Sequence, residues 1–332
     1  MFRGVWVSWR SERDKQGPPK IEARHQQALS VLALAQDGAL GGGFPVAYDA
    51  SRKRWGALSP AVSAYVACAF ARCRIEPPDW QARGHRLLRW LAGVQRRDGL
   101  IQSTTLAEPR RTGSLHATGN ALIAWCHWQR AHPTSLIQRA IERGAVALFD
   151  VLSEEPRRRC ASDGIAMASF LPAAEAAYGL ALSAGVLRRA DWREIARLHI
   201  SRMLDECDDV LRGTAATPRI AHALLALLDG AGLCQTRDAR QRVIAALKRT
   251  TAHAGPLQRV RGRATAETRL ALAVLERSLI ARSLEVEALT PRRASRLNQA
   301  SIKRALRRTG SPSATWPCET LADLMLATSP GL

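Results

Sequence analysis

The feature that most constrains this chain is the absence of strand patterning. Alternating runs of Val, Ile and Thr are missing along its 332 residues, and Ala, Leu and Arg dominate instead. That balance favours helices, because straight-chain and Ala residues give up little conformational freedom in a helical backbone. The apolar periodicity predicts helices over 20–36, 60–74, 79–96, 116–132, 135–152, 168–185, 190–205, 217–230, 237–251, 264–283, 297–307 and 317–328. Turn signals separate them: Pro60 and Pro77-Pro78 precede helices, and Asp98-Gly99, Asp163-Gly164 and Gly230-Ala231-Gly232 punctuate the rest. A dozen helices joined by short connections pair into about six hairpins. The expected fold is therefore all-α, an α/α toroid of about six helical hairpins, in which each hairpin needs only its neighbours to bury its apolar face. Residues 1–19 read as a loosely held N-terminal arm, and residues 20–332 as a single toroid domain.

Charge bears on the partner. The formal net charge is +20, from 49 basic and 29 acidic residues, and such a balance ordinarily suggests nucleic acid. Only Lys15, Lys20, Lys53, Lys248 and Lys303 are lysines, however, and the arginines are scattered. Local runs occur at Arg157–Arg159 and between Arg292 and Arg308. Scattered arginine argues against nucleic acid and leaves room for an anionic ligand, since guanidinium matches carboxylate geometry. The seven cysteines show no CxxC pair or zinc spacing, and most sit among apolar neighbours, as buried thiols of a reducing compartment do. Met1–Arg10 has no apolar core of a secretion signal, and no apolar run is long enough to span a bilayer. A cytoplasmic location follows as an expectation. No Walker loop or dinucleotide fingerprint is present, so no cofactor is expected.

Several segments then carry a resemblance. Gly42-Gly43-Phe44, Tyr48-Asp49, Trp55 and Ser59-Pro60-Ala61-Val62-Ser63-Ala64-Tyr65 follow the order GG…Y…W…PETTGY. Trp90-Leu91, Gln95 and Asp98-Gly99 follow WL…Q..DG. His116-Ala117-Thr118-Gly119-Asn120 is similar to FNTGQ, and Trp316-Pro317-Cys318-Glu319 with Asp323 to NWATKFFAD. The set resembles six-hairpin α/α-toroid proteins of bacterial polysaccharide gene clusters, related in fold to terpenoid cyclases and prenyltransferases. The resemblance implies carbohydrate-related work on an oligo- or polysaccharide. The chain departs from the pattern at Ala61, Ala64, Ala117, Asn120 and Glu319, which marks a divergent member and leaves open whether it is catalytic.

Chemistry narrows the candidates. His116 and Asn120, four apart on a helix, share one face. Sugars need clustered donors and acceptors beside aromatic faces. The expected catalytic residues are His116, Tyr65 and Asp49. Tyr48, Trp55, Thr118, Asn120, Trp316 and Glu319 are expected to hold substrate, with no metal ligand. On this reading His116→Ala and Tyr65→Phe weaken binding and leave the melting temperature nearly unchanged.

Glycoside hydrolysis would require two facing carboxylates, drawn from Asp49, Asp163, Glu175, Glu319 and Asp323. Glu175 falls within an apolar run, so burial is expected. A lyase or epimerase would instead require a base and a cation near a substrate carboxylate. Two ionisable groups facing each other would favour an enzyme, whereas aromatics and amides alone would favour a non-catalytic carbohydrate-binding scaffold. The more distant alternative is a terpenoid cyclase. Its nearest acidic motif, Glu206-Cys207-Asp208-Asp209, reads as a solvated connector after a helix ending near Asp205.

Overall fold

The computed structural model describes residues 21–39, 41–49, 54–73, 78–102, 112–159, 167–211 and 218–233, together with positions 241–243, 245 and 322. These form eight long helices: α1 (Ile21–Asp37), α2 (Pro60–Cys73), α3 (Pro78–Val94), α4 (Leu115–Ala131), α5 (Ser135–Arg159), α6 (Met167–Leu187), α7 (Ala190–Leu211) and α8 (Pro218–Leu233). Two short antiparallel hairpins accompany them. In one, β1 (Tyr48–Asp49) pairs with β2 (Arg54–Trp55); in the other, β3 (Ile101–Gln102) pairs with β4 (Gly113–Ser114).

Local chemistry sets the helix starts. Pro60, Pro78 and Pro218 each occupy the first helical position, where a missing N–H costs nothing. The Ser59 and Ser114 hydroxyls accept from Val62 N at 3.3 Å and from Ala117 N at 3.1 Å, capping α2 and α4. Thr134 does the same for Ile137 at 3.3 Å in α5. Two helices run more than a turn past their predicted ends. α5 continues to Arg159, and α7 to Leu211. The Glu206–Asp209 acidic stretch is thus helical rather than a connector. Glu206 is paired with Arg202 one turn earlier at 2.7 Å, and Cys207 is buried against Leu204 O. An i,i+4 ion pair and a buried thiol offset the unfavourable placement of acids near a helix C-terminus.

The helices form two layers. α2, α4, α6 and α8 pack successively against one another, and α3, α5 and α7 return the chain along their outer side, each against its inner neighbours. The alternation makes the four inner helices parallel to one another. Burial follows the layers. Every residue from Ala117 to Cys126 in α4 is buried, whereas α3, α5 and α7 bury one face each. Trp125 is fully buried and donates its indole N–H to Leu88 O at 3.2 Å, so its large apolar surface is enclosed without stranding a donor.

The motif residues hold this frame together. Gly41 and Gly42 adopt φ of 109° and 98°, values open mainly to glycine. A Cβ on Gly43 would lie 2.6 Å from the Trp90 ring, so the glycine run lets the loop lie flat on α3. Gln95 donates to Gly99 O at 2.8 Å and Ala140 O at 3.1 Å and accepts from Arg143 at 2.6 Å, fastening α3 to α5. Arg83 grips Asp37 at 2.7 and 2.8 Å, tying α1 to α3.

The Arg83 hydrogen bond holds the Asp37 carboxyl below its ordinary value of 3.8. A lowered folded value means this stabilisation is complete above the ordinary value and disappears as pH falls through the lowered one. The Asp37 side chain is 49% exposed, so Asp37→Asn is expected to cost no more than about 1 kcal/mol. Urea melts at pH 7 and in acid should show the difference between wild type and variant closing as the carboxyl protonates.

Candidate functional site

Four inner helices contribute to one small cavity. It is lined by Tyr65 and Cys68 of α2, Asn120 of α4, Glu175 of α6, and His222 of α8, with Ile123 and Leu225 among its apolar walls. Tyr65, Asn120 and His222 lie within the first two turns of their helices and Glu175 in the third. Since the inner helices run in parallel, the cavity sits toward their positive, N-terminal ends. Both β hairpins lead into inner helices on this same side. The room open to water centres is about 20 Å³, enough for roughly one water molecule.

Close approach of α4 and α6 builds the central pair. A Cβ on Gly119 would lie 2.5 Å from the backbone carbonyl of Glu175, and one on Gly179 would lie 2.8 Å from Gly119 O. With no side chain at either crossing point, the backbones nearly touch. His116 stands one turn before Gly119–Asn120, and Glu175 one turn before Gly179, so each flanks the crossing. The result is a direct pair between His116 Nδ1 and Glu175 Oε2. Glu175 is 4% exposed as a residue, whereas the His116 side chain is 24% exposed. The carboxylate accepts the Nδ1–H, which directs the ring's basic Nε2 the other way. Asn120 Nδ2 stands 3.4 Å from the same Nδ1, a secondary contact beside the carboxylate's. Farther along the crossing, Cys126 meets Ser183 at 3.5 Å, and burial pushes the Cys126 thiol up to about 12.

A second pair spans the cavity. Tyr65 Oη and His222 Nε2 are 2.7 Å apart, and the two rings stack with centroids 4.4 Å apart at 29°. They join residues 157 positions apart in sequence.

The expected site residues divide accordingly. Tyr65 and Asn120 line the cavity together with Glu175, and His116 adjoins it through Glu175. Thr118 stands apart from that role. It is fully buried, its hydroxyl accepts from Ile101 N at 2.9 Å and donates to Ser114 O at 2.6 Å, and it anchors β3 to α4. Tyr48 and Trp55 pack edge to face at 5.2 Å within their own hairpin. Trp55 also lies against Gly38 at the end of α1, and neither ring lines the cavity. Asp49 pairs with Arg54 in the β1–β2 register. Trp316, Glu319, Asp163 and Asp323 lie outside the described residues. His222 was not among the expected residues. Its signal is a histidine in the opening turns of an otherwise apolar inner helix, the same setting that marks His116. Among the described residues no group of three or more His, Cys, Asp and Glu side chains gathers in a way that could hold a metal, and no helix is long and apolar enough to cross a membrane.

No protein-family model matches the chain, and neither a curated protein nor a solved structure gives a match.

Proposed function

We propose that this chain is a divergent α/α-toroid enzyme of bacterial polysaccharide biosynthesis or modification, which moves a proton on an acidic oligo- or polysaccharide bound at the N-terminal ends of the inner helices. The observation that carries this reading is the pairing of His116 with the buried Glu175 beside a second ionisable pair, Tyr65 and His222. Facing ionisable groups are what acid–base catalysis needs and what a purely binding cleft does not. In the proposed site Glu175 holds the His116 ring in one tautomer, so that Nε2 is the proton-accepting atom. Asn120, one turn farther along α4, lines the cavity beside that ring. Proton transfer by such a positioned imidazole contributes roughly 10²–10⁴-fold to rate. Among the described residues the cavity presents a single carboxylate, Glu175, which favours a lyase or epimerase over a hydrolase that works with two. The alternation of inner and outer helices, with the inner ones parallel, supports a toroid.

The test is a melting-temperature screen against neutral and acidic oligosaccharides, prenyl diphosphates and short DNA, followed by NMR of any hit in deuterated water. An acidic saccharide should raise the melting temperature and gain deuterium at the carbon next to its carboxylate. Glu175→Gln should retain binding and slow exchange, since the amide keeps the Nδ1 contact but brings no charge to stabilise the imidazolium that proton transfer forms. Binding without exchange in the wild type would reduce the protein to a carbohydrate-binding scaffold. A shift with prenyl diphosphates or with DNA alone, the latter collapsing as salt rises, would overturn the reading.

A further inference from the structure

We propose that Tyr65 and His222 form a side-chain gate over the cavity that holds Glu175 and Asn120, so that ligand enters only when their bond opens. The inference rests on the reading of this cavity as the ligand site and concerns how that site is reached.

Three observations support it. First, α2 and α8 are not among the helix pairs that pack along their length, whereas α2–α4, α4–α6 and α6–α8 are. The stacked rings and the 2.7 Å bond of Tyr65 and His222 therefore bridge two helices that do not pack extensively on each other. A link made by side chains opens by torsion changes, without repacking of helices. Second, the two rings line the same cavity as Glu175 and Asn120, and all four residues are at most 8% exposed. Third, the space within holds about one water, from its 20 Å³ of room. A sugar ring fits only if part of the wall moves, and Tyr65 and His222 are the wall groups joined between those two helices. Ala69 and Ala226 also line the cavity, leaving small side chains around the rings.

The cavity contains its own reporter. Cys68, 3% exposed, lines it, while Cys126 is fully enclosed between α4 and α6 and held protonated by burial. N-ethylmaleimide labelling of the intact protein, read at each cysteine by peptide mass spectrometry, follows opening directly. Tyr65→Phe removes the hydroxyl and keeps the ring; His222→Phe removes the other partner and keeps the stack. Each should speed Cys68 labelling about tenfold, the loss of one buried hydrogen bond, with Cys126 unchanged. Two variants attack the bond from opposite sides, so a folding defect in one leaves the other to decide. Unchanged Cys68 labelling in both, or joint acceleration of Cys68 and Cys126, would overturn the gate in favour of ordinary core packing. No saccharide enters this experiment. A gate that opens as described while every saccharide fails to bind would reject the proposed function alone, and saccharide binding with an unresponsive Cys68 would reject the gate alone.

Discussion

Replacing Gly119 by alanine should destabilise the protein by about 2–3 kcal/mol, although alanine is the better helix former. The reason is local. A Cβ at Gly119 would stand 2.5 Å from both C and O of Glu175 and 2.7 Å from Ala176 N. These are backbone atoms of α6, which cannot swing aside as a side-chain tip could. α4 and α6 must part, and the consecutive buried residues of α4 lose contact with Ala173–Ala184 as they do. Helix propensity favours alanine over glycine by about 1 kcal/mol, so the measured loss is what remains after that gain. Gly93 is the control. It lies near the C-terminal end of α3 with nothing within 4 Å of a Cβ, and Gly93→Ala should gain a few tenths to about 1 kcal/mol. Denaturant melts of the two variants should therefore move in opposite directions. A neutral Gly119→Ala would mean that the helix crossing is loose and that Glu175 is not held against His116 by backbone contact.

The same crossing shows what a sequence can and cannot disclose. The inner helices are legible because each is a long apolar run opened by proline or serine, signals that act within a few residues: Pro60 for α2, Ser114 for α4, Pro218 for α8. The continuation of α5 and α7 is not. Pro156 and the acids at 206–209 argue locally for an end, while tertiary contacts such as the burial of Cys207 extend the helix. His116 and Asn120 are legible as a helical pair, since spacing alone puts them on one face. Their partner is not, because Glu175 is 59 residues away and meets His116 only through a crossing that depends on Gly119 and Gly179. His222 looks like an ordinary core histidine until Tyr65 is found 2.7 Å from it. The glycine-rich loop misleads in the opposite sense. Its glycines suggest a mobile connection, yet it is packed on Trp90 and Arg86, and the Gly-Gly and Trp-Leu segments are each other's packing partners. Gln95 and Gly99 serve the frame in the same way: a Cβ on Gly99, whose φ is 86°, would meet Arg143 O at 2.2 Å.

His116→Ala is expected to cost about 2–3 kcal/mol, and the double variant His116→Ala/Glu175→Gln to recover at least half of it. This reverses the expectation from sequence that His116 could be removed with little effect on melting. Glu175 is 4% exposed, and its carboxylate is bonded to His116 Nδ1. Removing the hydrogen-bond donor of a buried carboxylate leaves that charge desolvated and uncompensated, which costs about 3–5 kcal/mol in a dry interior. The 24% exposure of the His116 side chain lets water enter the vacated space and brings the estimate down. Glutamine in place of Glu175 has the same shape, no charge to strand, and an amide oxygen that still accepts from Nδ1–H, so Glu175→Gln alone should cost about 1 kcal/mol or less. The double variant lacks both the imidazole and the charge and should be more stable than His116→Ala. The interaction term of this double-mutant cycle, measured by denaturant melts, is then a property of the pair. A cycle that closes additively would show that Glu175 is satisfied by other groups. The carboxylate would then do no more than fill its place in α6, and His116 would lose the partner that fixes its tautomer for proton transfer.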